Sequence, residues 1–231
     1  MTPSILSPPD TGSETTYVEF NDRPLGGHRL LLEMLPIGGR ILDVGCSGGY
    51  LAERLAARGS VVSGIELDPR AAERAGAHCD RVLVGDVETL ELPFDPATFD
   101  AIACGDLIEH LRRPGDVLAR LRGLLKPGGR LVLTTPNVAN WTIRLQLLFG
   151  RFHYTDRGIL DRTHAHLFTR RTLIACLVGA GYEVERLDFT VPVPIFGSPA
   201  VERLAHRIGA LRPQLLAFQF VAAARAPRPA G

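Results

Sequence analysis

The sequence predicts a doubly wound α/β domain, in which helices cover both faces of a mainly parallel sheet. The first observation is alternation, because short runs of apolar and β-branched residues recur between segments with helical periodicity. Such alternation is typical of parallel strands joined by helical crossovers. The second observation is a glycine-rich turn, Gly45 to Gly49, directly after the first strand-like run. Doubly wound sheets bind their ligands at such turns.

The first two-thirds of the chain supply five strands and three helices of this predicted sheet. The strands are expected at residues 40–44, 61–66, 81–84, 99–104 and 130–135, and the helices near residues 49–58, 69–77 and 114–125. The strand-like runs are short and mostly apolar, as expected for strands buried on both faces.

The rhythm changes after Thr135, where an insertion over residues 137–168 precedes the next helix. That helix is predicted to begin at Thr169, a suitable N-cap, and to stop at Gly179 to Gly181. A strand at residues 182–189 and a last strand at residues 215–223 flank a helix that opens at Ser198–Pro199. One face of this helix is apolar and is expected to pack on the core, through Val201, Leu204, Ala205, Ile208 and Leu211.

Composition narrows the function classes. The 231 residues are 45% apolar and 22% charged, as in ordinary globular proteins. A net charge of +1 predicts no nucleic-acid partner, so a small-molecule substrate is favoured. Residues 1–16 and 226–231 are predicted to be flexible ends around one domain, 17–225. We find no signal-peptide pattern and no apolar run long enough for a transmembrane segment, so a cytoplasmic protein is expected.

The glycine-rich turn does not match a dinucleotide site. A G-x-G-x-x-G fingerprint that starts at Gly45 needs glycine at positions 47 and 50, which are Ser47 and Tyr50. An acid, Asp43, ends the strand before the turn. A carboxylate there disfavours a pyrophosphate and favours an ammonium group.

Two further acids follow the next two strands. Glu66 ends the second strand, where a carboxylate can accept both hydrogen bonds of a ribose diol. Asp86 follows the third strand, where it can accept from an adenine amino group while Val87 flanks the ring. Each acid alone could simply cap a helix. Their joint occurrence at one edge of the sheet favours a binding site.

These segments together resemble the class I S-adenosylmethionine-dependent methyltransferases. The resemblance rests on ILDVGCSGG, GIELD, GDVE, FDAIACGDLIEHL and LLKPGGRLVLTTPN, and it covers roughly residues 30–190. Ser47 departs from the family, which usually has glycine there. The resemblance implies a seven-stranded sheet in the order 3-2-1-4-5-7-6 with strand 7 antiparallel. It also implies S-adenosyl-L-methionine (SAM) as cofactor.

The resemblance implies a contact for each matching residue. Asp43 is expected near the methionyl amino group, Gly45, Gly49 and Gly105 beside the methionyl portion, and Glu66 on the ribose. Asp86 and Val87 are expected at the adenine.

The loop after the fourth strand, residues 105–111, is the predicted place of chemistry. Methyl transfer requires a positioned nucleophile and removal of its proton. The loop supplies Asp106, Glu109 and His110, and His110 is the first candidate for general base because an imidazole titrates near neutral pH. The alternative, that Glu109 and His110 only start a helix and bond to backbone, stays open.

The insertion carries a second polar group among aromatic residues. The segment GILDRTHAHLFT, residues 158–169, resembles a GILDRTHxxFFT-like segment found in a subset of these methyltransferases. Its polar residues are expected to anchor the acceptor, and His164 is a further catalytic candidate. His164 and His166 also suggest a metal, but neither a cysteine nor a third ligand stands at a suitable spacing, so no metal is predicted.

Two other functions compete with methyl transfer. A SAM-binding accessory or sensor protein would share the cofactor motifs without transferring a methyl group. An NAD-dependent oxidoreductase is disfavoured by Ser47 and Tyr50. No motif identifies the acceptor or the atom that is methylated, so small metabolites, quinone-like phenols, sugars and lipid-linked glycans all stay open. The oligomeric state is not encoded in any motif either.

Overall fold

The computed structural model describes residues 20–192 and 199–227, which form alternating strands and helices. The strands are β1 Gly39–Val44, β2 Ser60–Glu66, β3 Arg81–Val84, β4 Phe99–Cys104, β5 Leu125–Pro136, β6 Glu183–Thr190 and β7 Gln219–Arg225. The helices are α1 Gly27–Met34, α2 Tyr50–Ala56, α3 Pro69–Ala75, α4 Pro114–Arg122, α5 Trp141–Leu148, α6 Arg170–Gly179, α7 Pro199–Leu211 and α8 Pro213–Leu216.

The seven strands form one sheet in the order β3-β2-β1-β4-β5-β7-β6. Strands β1 to β5 pair in parallel, and β7 is antiparallel to both β5 and β6. The predicted fold class, strand order and antiparallel strand 7 are therefore confirmed. Because β1, β2, β3 and β4 run in one direction, the loops that follow them share one edge of the sheet.

Two hydrophobic layers hold the sheet between helices. Leu42 and Val44 of β1 belong to the larger layer, whereas Ile41 faces the smaller layer under α1 and α2. All three side chains are fully buried. This period-two alternation within a buried strand fixes the register, because a slip of one residue would exchange the two faces.

Several boundaries differ from the sequence expectation. Helices α1 and α5 were not predicted, and β5 begins at Leu125 rather than at residue 130. The predicted last strand, 215–223, starts too early, because Pro213 opens the short helix α8 and the strand begins only at Gln219. Proline at the first position of a helix has a backbone angle already suited to it.

Helix α7 buries a different face from the one predicted, rotated so that only Ala205 of the expected apolar stripe is half-buried. Val201, Leu204, Ile208 and Leu211 are exposed, whereas Glu202 is 7% exposed. The expectation that this apolar face packs on the core was wrong. Arg23 explains the inward turn of Glu202, since its guanidinium donates to Glu202 Oε1 through Nε at 2.9 Å and Nη2 at 2.7 Å. Ser198, the predicted start of the helix, lies outside the described residues.

The insertion of residues 137–168 returns to the sheet edge. It contains α5 and a small cluster of Ile143, Ile159 and Leu160. Its C-terminal end is held against the loop after β4, because the His166 backbone N–H donates to the Glu109 carbonyl at 2.9 Å. Helix α6 then begins after Thr169, whose capping box confirms the predicted N-cap.

The domain limits at residues 17 and 225 stay predictions, and the proposed flexible ends lie largely outside the described residues. None of the helices in residues 20–192 and 199–227 has the length and apolar character that crossing a bilayer requires.

Candidate functional site

The turn between β1 and α2 is built on left-handed backbone. Gly45 and Gly49 have φ of 74° and 83°, and Ser47 has φ of 48°. At Gly49 a Cβ atom would lie 2.8 Å from Ala75 Cα of α3, so only glycine allows this approach of the two helices. The Gly45 N–H donates to the Ile65 carbonyl at 2.8 Å, which ties the turn to β2.

Asp43, at the end of β1, is buried without compensation. Its side chain is 2% exposed, and Oδ2 has no hydrogen-bond partner among the described residues. Burial, and secondarily the charge of Glu66, raise the pKa of this carboxyl to about 7. A buried carboxylate with a free oxygen favours a cationic ligand, which would supply the missing partner.

Glu66, at the end of β2, organises the backbone around it. Its Oε2 accepts from Ser47 N at 2.7 Å, and its Oε1 accepts from Leu67 N at 2.9 Å and from Asp68 N at 3.0 Å. The side chain thus fixes the glycine-rich turn and the start of the loop before α3. It remains partly exposed at the sheet edge.

The other predicted cofactor residues lie in the loops after β3 and β4. Asp86 is exposed and accepts from Glu88 N at 2.8 Å. Val87 is 6% exposed and packs in the larger hydrophobic layer, so its side chain offers little surface to a ring. At Gly105 the nearest atom to an added Cβ would be Leu31 Cδ1 at 3.8 Å, which leaves this end of β4 open.

Helix α1 contributes residues that the sequence analysis missed. His28, Leu31 and Tyr50 line one cleft together with Asp43, Gly45 and Gly105. The His28 and Tyr50 rings stack with centroids 4.9 Å apart, and His28 Nδ1 accepts from Asn21 N at 3.0 Å. The apolar residues 30–32, 34 and 35, interrupted only by Glu33, were the available signal for this helix.

Asp106 connects this cleft to a second cavity. Its Oδ1 accepts from Thr134 Oγ1 at 2.8 Å and from Gln219 Nε2. Gln219 also borders a cavity of about 300 Å³, which Arg23, Gly27, Thr190, Glu202 and His206 help to line. The cleft and the cavity are therefore neighbours, linked through Asp106 and Gln219.

The structure brings His110 and His164 together. Their ring centroids are 4.8 Å apart, and His110 Nδ1 lies 3.1 Å from Thr163 Oγ1. Burial, and then the neighbouring His164, hold the pKa of His110 below its ordinary value. His166 is separate, since its Nε2 bonds to the Arg112 carbonyl at 3.0 Å.

Comparison with known proteins identifies the family. Residues 18–187 match the family model described as a methyltransferase domain. The chain belongs to this family.

Two curated relatives and one solved structure show the breadth of the match. The methyltransferase is 38% identical over 158 residues to the ubiquinone biosynthesis O-methyltransferase of Xanthomonas axonopodis pv. citri, which covers 65% of each chain. It is 40% identical over 104 residues to the mitochondrial enzyme of the same name from Schizosaccharomyces pombe, 42% of this chain and 38% of that one. It thus spans less than two-thirds of either relative.

The solved structure supports the fold. A SAM-dependent methyltransferase from Mesorhizobium loti superposes with a TM-score of 0.62 at 20% identity, over 87% of this methyltransferase and 98% of that chain. The cofactor of this family is S-adenosyl-L-methionine. The residues present fit this cofactor. The Oδ2 atom of Asp43 has no hydrogen-bond partner within residues 20–192 and 199–227, and the ammonium group of the cofactor would supply one. The left-handed turn at Gly45 also brings the backbone close to the cleft.

Proposed function

We propose that this methyltransferase transfers the methyl group of SAM to an oxygen atom of a small-molecule acceptor. The observation that carries the proposal is the buried Asp43 carboxylate, which has a free oxygen beside a cleft that adjoins a 300 Å³ cavity. The choice of oxygen is supported by the two relatives, both named O-methyltransferases.

Each predicted cofactor residue has a role in this proposal. Asp43 accepts from the methionyl ammonium, and the backbone of Gly45, Gly49 and Gly105 lies along the methionyl portion. Glu66 accepts from the ribose hydroxyls. Asp86 and the backbone of Val87 meet the adenine. When bound, the cofactor supplies a methyl group on a sulfonium centre. The acceptor takes this methyl group directly, so no nucleophile of the protein is needed.

The acceptor occupies the cavity beside Asp106. Its volume of about 300 Å³ lies at the small end of ligand pockets. The Asp106 carboxylate is held by Thr134 and Gln219, so it orients groups at the junction of cleft and cavity. His110, with His164 beside it, assists loss of the acceptor proton, because burial lowers the pKa of His110 and keeps this imidazole neutral at pH 7.

The overall proposal is tested by label transfer. The purified protein is incubated with methyl-labelled SAM and small-molecule fractions of a cell extract. We expect a methyl ether that carries the label to form in at least one fraction. SAM binding without label transfer to any fraction would contradict methyl transfer and leave a SAM-binding accessory or sensor role.

Ligand selectivity gives a first prediction. Calorimetry is expected to show binding of SAM and of its demethylated product but not of NAD, because the Asp43 carboxylate repels a pyrophosphate and pairs with an ammonium. Tight NAD binding without SAM binding would overturn the residue assignments of the cleft.

Glu66→Ala gives a second prediction. The variant loses a charged acceptor for the ribose, so the dissociation constant for SAM is expected to rise by about 10–100-fold, since each such hydrogen bond is worth roughly 1.5–3 kcal/mol at most. It also loses three backbone contacts, so the melting temperature falls as well.

Asp68→Ala is the matched control for Glu66→Ala. Asp68 caps α3 by accepting from Arg70 N at 2.9 Å, so its loss costs about 1 kcal/mol of stability. It is expected to lower the melting temperature and leave SAM affinity unchanged. Lower stability of Glu66→Ala with unchanged affinity would make Glu66 a structural residue only.

A further inference from the structure

Three potential metal ligands converge where the insertion meets the loop after β4. One donor atom from each of Glu109, His110 and His164 lies within 4.8 Å of the others. Glu109 and His110 are neighbours in sequence, but His164 lies 54 residues beyond His110. A search for ligands at short spacing does not detect such a set.

The Glu109 carboxyl points to a missing partner. Its side chain is 1% exposed, and neither oxygen has a hydrogen bond of good geometry to a described residue. The Thr135 hydroxyl and the backbone of Glu109 itself are close enough to interact with the carboxyl only weakly. An ionised carboxylate in such surroundings costs several kcal/mol unless a cation or a donor compensates it. The two neighbouring imidazole rings provide further donor atoms for such a cation.

Hydrogen bonds already orient the His164 ring. Its Nδ1 lies 3.1 Å from the Ile159 carbonyl, which only accepts, so Nδ1 carries the proton and donates. The other ring nitrogen, Nε2, is then the one with a free lone pair. Metal-binding histidines are commonly oriented in this way by a carbonyl on the far nitrogen.

A longer relay orients His110. Thr163 Oγ1 donates its one proton to Asp161 Oδ1 at 2.7 Å, so toward His110 it can only accept. His110 Nδ1, 3.1 Å away, therefore carries the proton, and Nε2 is again the nitrogen with a lone pair. Asp161, Thr163 and His164 all belong to the DRTH part of the insertion motif, which gives that motif a physical role.

We propose that Glu109, His110 and His164 bind one divalent transition-metal ion. Two imidazoles and one carboxylate favour Zn²⁺, Mn²⁺, Fe²⁺ or Co²⁺ over Mg²⁺ and Ca²⁺, which prefer all-oxygen sites. Three protein ligands leave at least one coordination position open. If the proposed function holds, an acceptor oxygen fills that position and its hydroxyl proton is lost to solvent more easily. The metal binding itself does not depend on methyl transfer.

The test is a titration of chelator-treated protein with Co²⁺ alone, without SAM or acceptor. We expect one ion to bind per chain. Binding is measured by calorimetry and by the visible absorption of the cobalt centre. Glu109→Gln and His164→Ala are each expected to weaken binding at least 100-fold. Thr163→Val, which breaks the relay to His110, is expected to weaken it about 10–100-fold.

His166→Ala is the matched control, because His166 lies two residues from His164 and bonds to the Arg112 carbonyl. Its Co²⁺ affinity is expected to stay within about twofold of the parent. SAM affinity, measured separately, shows that each variant is folded. Three results would each overturn the proposal: no Co²⁺ binding by the parent, equal binding by Glu109→Gln and the parent, or a loss in His166→Ala as large as in His164→Ala. Failure of the parent to bind SAM would count only against the proposed function.

Discussion

His110→Ala is expected to lower the rate of methyl transfer by about 10²–10⁴-fold while leaving the affinity for SAM nearly unchanged. The ring contacts His164 and is outside the residues that line the cleft with Asp43. Under the proposed function it acts on the acceptor proton, either directly or as a ligand of the proposed ion. Steady-state turnover at saturating SAM and calorimetric SAM affinity measure the two effects separately.

The pH profile gives a second readout for His110. Because burial and His164 lower the pKa of this imidazole, it stays unprotonated to lower pH than a free imidazole. The acidic limb of turnover in the parent is expected below the pH at which an ordinary imidazole titrates, and it should be absent in His110→Ala. Full activity of that variant would exclude His110, and loss confined to His164→Ala would transfer the role to His164.

Asp43→Asn is expected to weaken SAM binding by about 10²–10³-fold at pH 8, the equivalent of roughly 3–4 kcal/mol. The charge that pairs with the methionyl ammonium is then absent from a fully buried site. In the parent, SAM affinity should fall below pH 7, by up to about tenfold per pH unit, as the carboxyl with a pKa of about 7 takes up a proton. At alkaline pH it should fall again in the parent, as the α-ammonium group of the ligand loses its proton. The variant should lose the fall below pH 7.

Stability is expected to change in the opposite direction. The folded-state pKa of Asp43 is raised from 3.8 to about 7, so its contribution to stability is present at low pH and is lost as pH rises through 7. Asp43→Asn removes the buried charge, so its melting temperature should exceed that of the parent at pH 8, by less at pH 5, and lose this advantage only below the unfolded pKa of 3.8.

Methylthioadenosine, a nucleoside without the amino-acid part, is the ligand control. It should bind Asp43→Asn and the parent equally. Equal loss of both ligands would mean that the substitution damages the cleft as a whole, and unchanged SAM affinity would remove Asp43 from the site.

The sheet could be predicted because its determinants are local. Runs such as residues 99–104 are buried in both hydrophobic layers, so their apolar composition signals their position directly. Helix α8 shows the limit. Its Leu215 and Leu216 read as the start of a strand, but Pro213 at the first helical position and the pairing of Gln219 with Pro136 set the boundary further on.

The proposed cofactor side was also accessible from sequence, since Asp43 and Glu66 lie at the ends of β1 and β2, Gly105 follows β4, and the strand order brings these ends together. The acceptor side was not. Asp106 bonds to Gln219 of β7 and to Thr134 of β5. The face that α7 turns inward is set by Arg23, which is far away in sequence. Contacts of this kind depend on tertiary packing, which no local pattern encodes.

Ser47 and Asp106 both hold left-handed backbone with φ of 48°, and both lie in loops at the proposed reaction centre. Such conformations raise the free energy of the folded chain by on the order of 1 kcal/mol each, so the surrounding packing must hold them in place. Of the three non-glycine residues with left-handed backbone in the described part of the chain, only Ala97 lies elsewhere, so most of this strain falls where ligands are expected to bind. Evolution toward higher thermal stability would relieve it most simply with glycine at these two positions, at the cost of a less preorganised site.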